Sequence, residues 1–180
     1  MGDAVQGVAG NIVLVPATDE DWPTIRRWLA QPEVIRWWGP RATTEAEVML
    51  ALGSEHAISR MIVCDGVAVG YGHAVDAALL GVSLPAELPV GAWEMDVFVA
   101  SAEHRGRGIG VTALAAMQRD VFATTLAPVV YVRVPVGQEK AVRAYERAGL
   151  RWLAVMRDPV MGPEWMMAAV RSGSGDIPAA

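Results

Sequence analysis

Between Trp93 and Ala100 apolar and polar positions alternate: Trp93, Met95, Val97 and Val99 share one side of an extended run, and Glu94, Asp96, Phe98 and Ala100 share the other. That alternation predicts a strand on which two acids stand about 7 Å apart, two residues of strand rise. Past Ala100 the spacing turns helical, with Ile109, Leu114, Met117 and Val121 on one stripe. The connection between them carries Gly106, Gly108 and Gly110, with Arg105 and Arg107 interleaved.

The same reading predicts a strand over 12–17, then a helix capped by Thr18 with Trp22, Ile25, Trp28 and Leu29 on its apolar stripe. Gln31-Pro32 stops it, because proline restricts the residue before it and has no N–H. Residues 32–40 read as one turn of helix delivering Trp37 and Trp38 to a loop. Thr43 or Thr44 is expected to cap the next helix, with Ala46, Val48, Met49 and Leu52 on its stripe. Asp65-Gly66 is a hairpin turn between strands at 56–65 and 67–78, where Gly70 and Gly72 mark a bulge or a close approach. Residues 79–91, with two prolines and two glycines, form a loop. A strand over 129–136, a helix over 138–149, and strands over 150–155 and 165–170 around a turn-rich 157–164 complete the pattern.

Composition narrows the class. In 180 residues, 53% hydrophobic and 19% charged, there is material for one core, so a single domain is expected over 12–171, with a flexible leader at 1–11 and a flexible tail at 172–180. A formal net charge of −5 disfavours nucleic acid and anionic membranes as partners. Cys64 is the sole cysteine, so there is no intrachain disulfide, and its place in an apolar strand suits a small buried residue better than a nucleophile. No signal peptide or membrane-spanning run is visible, so a cytoplasmic location is expected. Seven tryptophans against two phenylalanines suggest that some indoles line a site.

The glycine-rich connection has the chemistry of an anion cradle. Glycines allow a tight turn and close approach, the first N–H groups of a helix are unpaired, and arginines add charge. A dinucleotide fingerprint needs different glycine spacing, and a P-loop needs Gly-Lys-Ser/Thr; neither is present.

The run Arg105-Gly106-Arg107-Gly108-Ile109-Gly110, set between strand and helix, resembles the acetyl-coenzyme A loop of the GCN5-related N-acetyltransferases (GNAT superfamily). More narrowly, Ile35 to Gly39 (IRWWG), Met95-Asp96 and Tyr145 to Leu150 (YERAGL) resemble the aminoglycoside 6'-N-acetyltransferase branch. The resemblance spans about 12–170. It implies an α/β fold, an α+β arrangement with a mostly antiparallel splayed sheet of six to seven strands and about four helices. It also implies acetyl-CoA as cosubstrate, no metal, a small cationic amine as acceptor, and a monomer or homodimer.

By that resemblance the phosphates fall to Arg105, Gly106, Arg107, Gly108, Ile109 and Gly110. Backbone groups near Val97, Phe98 and Val99 would meet the pantetheine and thioester, with Gln138 adding a hydrogen bond. Asp96 would handle the acceptor's proton, Glu94 would bind its ammonium group or share that role, and Tyr145 would serve the departing thiolate. Trp37 and Trp38 would border the acceptor, and the 79–91 loop would reach toward it or else cover an edge. His73, His56 and His104 are assigned no catalytic part. Two positions depart from the branch, which usually has Asp at Arg133 and Asn at Gln138, so acceptor electrostatics and a cofactor contact are expected to differ. A hydroxylated polyamine or siderophore precursor and a peptide amine remain alternative acceptors, and an acyl-CoA binding module without turnover is the non-enzymatic alternative.

Overall fold

The Asp65-Gly66 turn sets the register of the first half of the sheet. In the computed structural model, which describes residues 10–80, 88–158 and 162–172, these two residues take φ of 50° and 82°. That left-handed pair is what a two-residue hairpin turn needs. Strand β2 (Ala57–Cys64) therefore folds back antiparallel as β3 (Val67–Asp76). The Asp65 side chain accepts the Asn11 N–H at 2.8 Å, which seats β1 (Ile12–Pro16) along the other edge of β2.

With β4 (Trp93–Val99), β5 (Val129–Pro135), β6 (Arg151–Asp158) and β7 (Gly162–Val170), the described residues form one seven-stranded sheet in the order β1-β2-β3-β4-β5-β7-β6. Every neighbouring pair is antiparallel except β4 and β5, which run parallel and pair only at Trp93 with Val130 and Glu94 with Tyr131. The strands part after Glu94. This is the splay the resemblance implies, in a mixed α/β fold.

Helices α4 (Ile109–Thr124) and α5 (Glu139–Arg147) cover one face of the sheet. The predicted stripe Ile109, Leu114, Met117 and Val121 is fully buried there, and Met95, Val97, Val130 and Val132 pack in the same core. Helices α1 (Trp22–Leu29), α2 (Pro32–Trp38) and α3 (Arg41–Gly53) cover the other face over β2 and β3. Ile25, Leu29, Val48 and Tyr71 form the core there, with Phe98 packed against it. Thr18 and Asp21 cap the approach to α1 reciprocally, and the Asp21 carboxylate accepts the Thr18 N–H at 2.9 Å.

The structure corrects several local expectations. The 32–40 segment forms a seven-residue helix whose last turn carries both tryptophans, which raises the described helices to five. Helix α3 starts at Arg41 after Pro40, so Thr43 and Thr44 lie inside it. The Thr44 hydroxyl bonds back to the Arg41 carbonyl at 3.1 Å. The buried stripe is Thr44, Val48 and Ala51, and Met49 is exposed. Strands β6 and β7 extend into the expected turn, pairing out to Asp158 with Gly162, which places Asp158 and Glu164 on the sheet. A register shift at Ile62/Val63 puts a bulge beside Gly70. Gly70 and Gly72 give room to strand β4, because a Cβ at Gly70 would overlap the Phe98 carbonyl and one at Gly72 would lie 2.9 Å from Val97 Cγ2.

Residues 1–9 of the expected leader, 173–180 of the tail and 81–87 of the 79–91 loop lie outside the described residues. Among the described residues, no helix is long and apolar enough to cross a membrane.

Candidate active site

The parting of β4 from β5 opens a passage through the sheet. A cavity of about 440 Å³ occupies it and draws its walls from both faces. On the α4/α5 side the lining includes Val97, Val99, Gly110, Gln138, Ala141 and Tyr145. On the α1–α3 side it includes Trp37, Trp38, Glu47 and, from the sheet, Glu94, Asp96 and Arg133. Residues that alternation assigns to opposite faces thus meet in one space because the sheet is open between them.

Past Glu94 the β5-facing backbone groups of β4 have no ladder partner on that side, which leaves those of Val97 and the N–H of Val99 for something else to satisfy, while the Val99 carbonyl accepts from Arg105 and Phe98 turns its backbone toward β3. Gly106 and Gly108 both have positive φ, 75° and 81°, and Gly108 is the residue that caps α4. A sixteen-residue helix therefore begins at the cavity with its first N–H groups unpaired. A Cβ on Gly106 would meet nothing within 4 Å and one on Gly110 only Val99 at 3.9 Å, so the space in front of this helix start is open. The cradle fits an anionic cofactor. Gly106, Arg107, Gly108 and Ile109 do not line the cavity itself. The Ile109 side chain is buried against Ile62 and Val69 and anchors the helix, so any part it has in binding is through its backbone.

Arg105 is held by the protein. Its guanidinium donates to the carbonyls of Val99 at 2.9 Å and Ala100 at 2.8 Å and to Gln31 Oε1 at 2.8 Å, with Glu33 at 3.9 Å. It ties the end of β4 to the α1–α2 junction while still touching the cavity.

The opposite end is acidic. Glu94 is buried, accepts the Tyr131 hydroxyl at 2.8 Å and pairs with Arg133 Nε at 2.7 Å. The same guanidinium reaches Asp158 at 3.5 Å and Glu164 at 3.4 Å. Burial alone would depress Arg133, but the Glu94, Asp96 and Glu164 charges outweigh it and hold the group above its ordinary value. Asp96 makes no hydrogen bond or ion pair among the described residues. Burial, then the Glu94 charge, and further Glu47 and Glu164, push its carboxyl well above the usual aspartate range against the pull of Arg133. Burial also raises Glu47 and Glu164, reinforced by neighbouring carboxylates. Of the two predicted acids, Glu94 is committed to internal partners and Asp96 has none among the described residues.

Tyr145 projects from α5 into the cavity. Burial and the Asp96 charge push its phenol above its ordinary value, so at neutral pH it keeps its proton and can donate it. Trp38 stands edge-on to Phe98, with ring centres 4.6 Å apart, and to His73 at 5.6 Å, which makes it a wall as well as a lining residue. Trp37 lies under the Arg36 guanidinium at 4.7 Å. His73 sits across the ladder from Asp96, and burial lowers its pKa to about 4, so it is neutral at physiological pH. Cys64 is buried away from this cavity.

Sequence reasoning did not single out Glu47, Asp158 and Glu164. Two left a signal. Glu47 falls at helical spacing within the buried stripe Thr44, Val48 and Ala51, and Glu164 is in phase with buried Met166 and Ala168. An acid inside a buried period calls for a partner or a ligand.

No curated protein matches the chain. Among solved structures, the aminoglycoside acetyltransferase AAC(6')-Ib in complex with paromomycin and acetyl-CoA superposes with a TM-score of 0.76 at 22% identity, over 89% of this chain and 94% of that one. The aminoglycoside N(6')-acetyltransferase of Legionella pneumophila gives 0.71 at 17% identity over 88% and 91%. The spermidine N-acetyltransferase of Vibrio cholerae, in complex with CoA and spermine, gives 0.69 at 14% over 89% and 96%. At these identities the likeness establishes the fold. The family model described as "Acetyltransferase (GNAT) domain" matches residues 17–157, a span that contains the splayed strands β4 and β5 and the glycine-capped helix, and the chain therefore belongs to the GNAT acetyltransferases.

Proposed function

We propose that this protein transfers the acetyl group of acetyl-CoA to a primary amine of a small, multiply charged cation, with the 6'-amine of an aminoglycoside as the first candidate acceptor. The observation that carries this reading is the passage between β4 and β5, which joins an anion cradle and Tyr145 on one side to the unpartnered Asp96 in an acidic basin on the other. The helix start at Gly108–Gly110 suits the pyrophosphate, and the unpaired β4 edge suits the pantetheine amides. Bound there, acetyl-CoA supplies an activated thioester carbonyl.

The protein's own groups do the rest. An ammonium ion cannot attack a carbonyl, so it must first lose a proton, and Asp96, with its raised proton affinity, accepts that proton directly or through water. Walls from both faces hold amine and thioester together, and such positioning lowers the barrier by removing the entropy of encounter. Tyr145, still protonated, donates toward the departing sulfur. Trp37 and Trp38 offer flat faces to a sugar ring or an alkyl amine. Two structural neighbours named as aminoglycoside acetyltransferases support the first acceptor, and the neighbour named as a spermidine acetyltransferase supports a polyamine as the second reading.

A liquid chromatography and mass-spectrometry time course with aminoglycosides, polyamines and peptides tests this. NMR should locate the new acetyl group on the 6'-nitrogen, and the matching 6'-hydroxyl compound should not react at that position. Turnover of polyamines alone would move the assignment to the second reading. Tight acetyl-CoA binding with no acetylated amine would replace the enzyme by an acyl-CoA binding module.

A further inference from the structure

Arg133 is unusual among the cavity's charged groups, because three carboxylates already surround it. Its Nε lies 2.7 Å from Glu94, and its Nη1 lies 3.5 Å from Asp158 and 3.4 Å from Glu164. Glu94 spends its second oxygen on the Tyr131 hydroxyl. The Arg133 side chain is only 28% exposed, and it comes from the middle of β5, paired to β7 at Met166. It is therefore fixed by the sheet and not delivered by a mobile loop. Glu47 and Asp96 line the same cavity and have no hydrogen bond or ion pair among the described residues.

We propose that Arg133 is a built-in substitute for an acceptor ammonium group: it fills the cation position among Glu94, Asp158 and Glu164, and leaves Asp96 and Glu47 as the carboxylates open to substrate. This rests on the amine-acetyltransferase reading and adds a specificity rule to it. An acceptor places its reacting amine at Asp96 and one further cation at Glu47. A third or fourth positive charge meets carboxylates that already share one fixed cation at close range, and it meets the guanidinium's repulsion. The lining counted residue by residue would predict tightening with every added charge. The ion-pair geometry predicts that the gain stops at two.

The physical basis is the cost of burying charge. Carboxylates withdrawn from water need a cation at hydrogen-bonding distance, and a fixed arginine supplies it without the entropy that binding a mobile ammonium group loses. An exogenous cation at this position would have to displace the guanidinium, which is bound to the sheet covalently through its own side chain.

The test measures KM and, by calorimetry, affinity for 1-aminobutane, 1,4-diaminobutane, spermidine and spermine, which carry one to four ammonium groups. In the unmodified protein, affinity is expected to rise at least tenfold from the monoamine to the diamine and to change less than threefold beyond it. Arg133→Met should restore a further rise of at least tenfold for spermidine and spermine while changing the monoamine less than threefold. Arg133→Lys should keep the original plateau. Should Arg133→Met fail to fold with its carboxylates unpaired, the double variant Arg133→Gln/Glu94→Gln removes one charge of each sign, and it should still raise spermine affinity relative to diamine about threefold. Continued tightening toward spermine in the unmodified protein overturns the proposal, as does an unchanged charge profile in the folded variants. A purely structural arginine would shift all four amines alike. Binding that follows the expected profile without acetylation of any amine would uphold Arg133 and remove the catalytic reading, so the two failures are separable.

Discussion

Replacing Asp96 by asparagine should make the protein slower and more stable at once. The carboxyl is held above its ordinary pKa first by burial and then by Glu94, Glu47 and Glu164. A carboxyl whose folded-state pKa is raised binds its proton more tightly in the folded chain than in the unfolded one. Ionising it therefore destabilises the fold as pH rises from the unfolded value toward the folded one, and the whole penalty is present above the folded pKa. Asparagine has nearly the same shape and no charge to bury. At pH values above the folded-state pKa the variant should recover about 1.4 kcal/mol for every tenfold change in proton affinity that the site imposes, and each kcal/mol corresponds to about 2–4 °C in a domain of this size. The amide cannot accept a proton, so the rate of acetyl transfer should fall by about 10²–10⁴. In the unmodified protein kcat/KM should decline as pH falls through the raised Asp96 pKa, and Asp96→Asn should lose that acidic limb. Thermal unfolding between pH 5 and 8, with pH-rate profiles on both proteins, reads all three effects. Activity within threefold of the original would refute the proton-acceptor role. A lower melting temperature at neutral pH would refute the claim that the charge is held at a cost.

Three further substitutions probe the surroundings. Tyr145→Phe should preserve coenzyme A affinity measured by calorimetry and lower kcat by about 10²–10⁴; because burial and Asp96 hold the phenol above its ordinary value, the unmodified enzyme should show no loss of activity from this group up to pH 9. Arg105→Ala removes donors to Val99, Ala100 and Gln31 and should cost about 1.5–3 kcal/mol in chemical denaturation, together with weaker coenzyme A binding; unchanged stability would show that these bonds are replaced by water. Gly70→Ala would press a methyl group onto the Phe98 carbonyl, costing about 1–3 kcal/mol and shifting the β4 edge, so coenzyme A affinity should fall along with stability.

Local patterns in the sequence determined the elements and their order. The Trp93 alternation, the α4 stripe, the Asp65-Gly66 turn and the Gly106–Gly108 entry each depend on a period or a backbone conformation that a few neighbouring residues dictate. The glycine-arginine run also pointed to an anion cradle for the same reason, since its donors are consecutive. The partnership of the acids was decided elsewhere. Glu94 and Asp96 are two residues apart on one face, and nothing local distinguishes them; only the approach of β5 brings Tyr131 and Arg133 to Glu94 and leaves Asp96 without a partner among the described residues. Glu47, Asp158 and Glu164 come from a helix and two strands that are remote in sequence, and Asp158 and Glu164 reach the cavity because β6 and β7 continue through what composition marked as a turn. The charge of Arg105 is visible in the sequence, while the carbonyls it bonds at the end of β4 are visible only in the fold. Charge and periodicity are properties of single residues and their neighbours, whereas desolvation and ion pairing depend on which distant segments the sheet sets side by side, and in this protein the opening between β4 and β5 sets those distances.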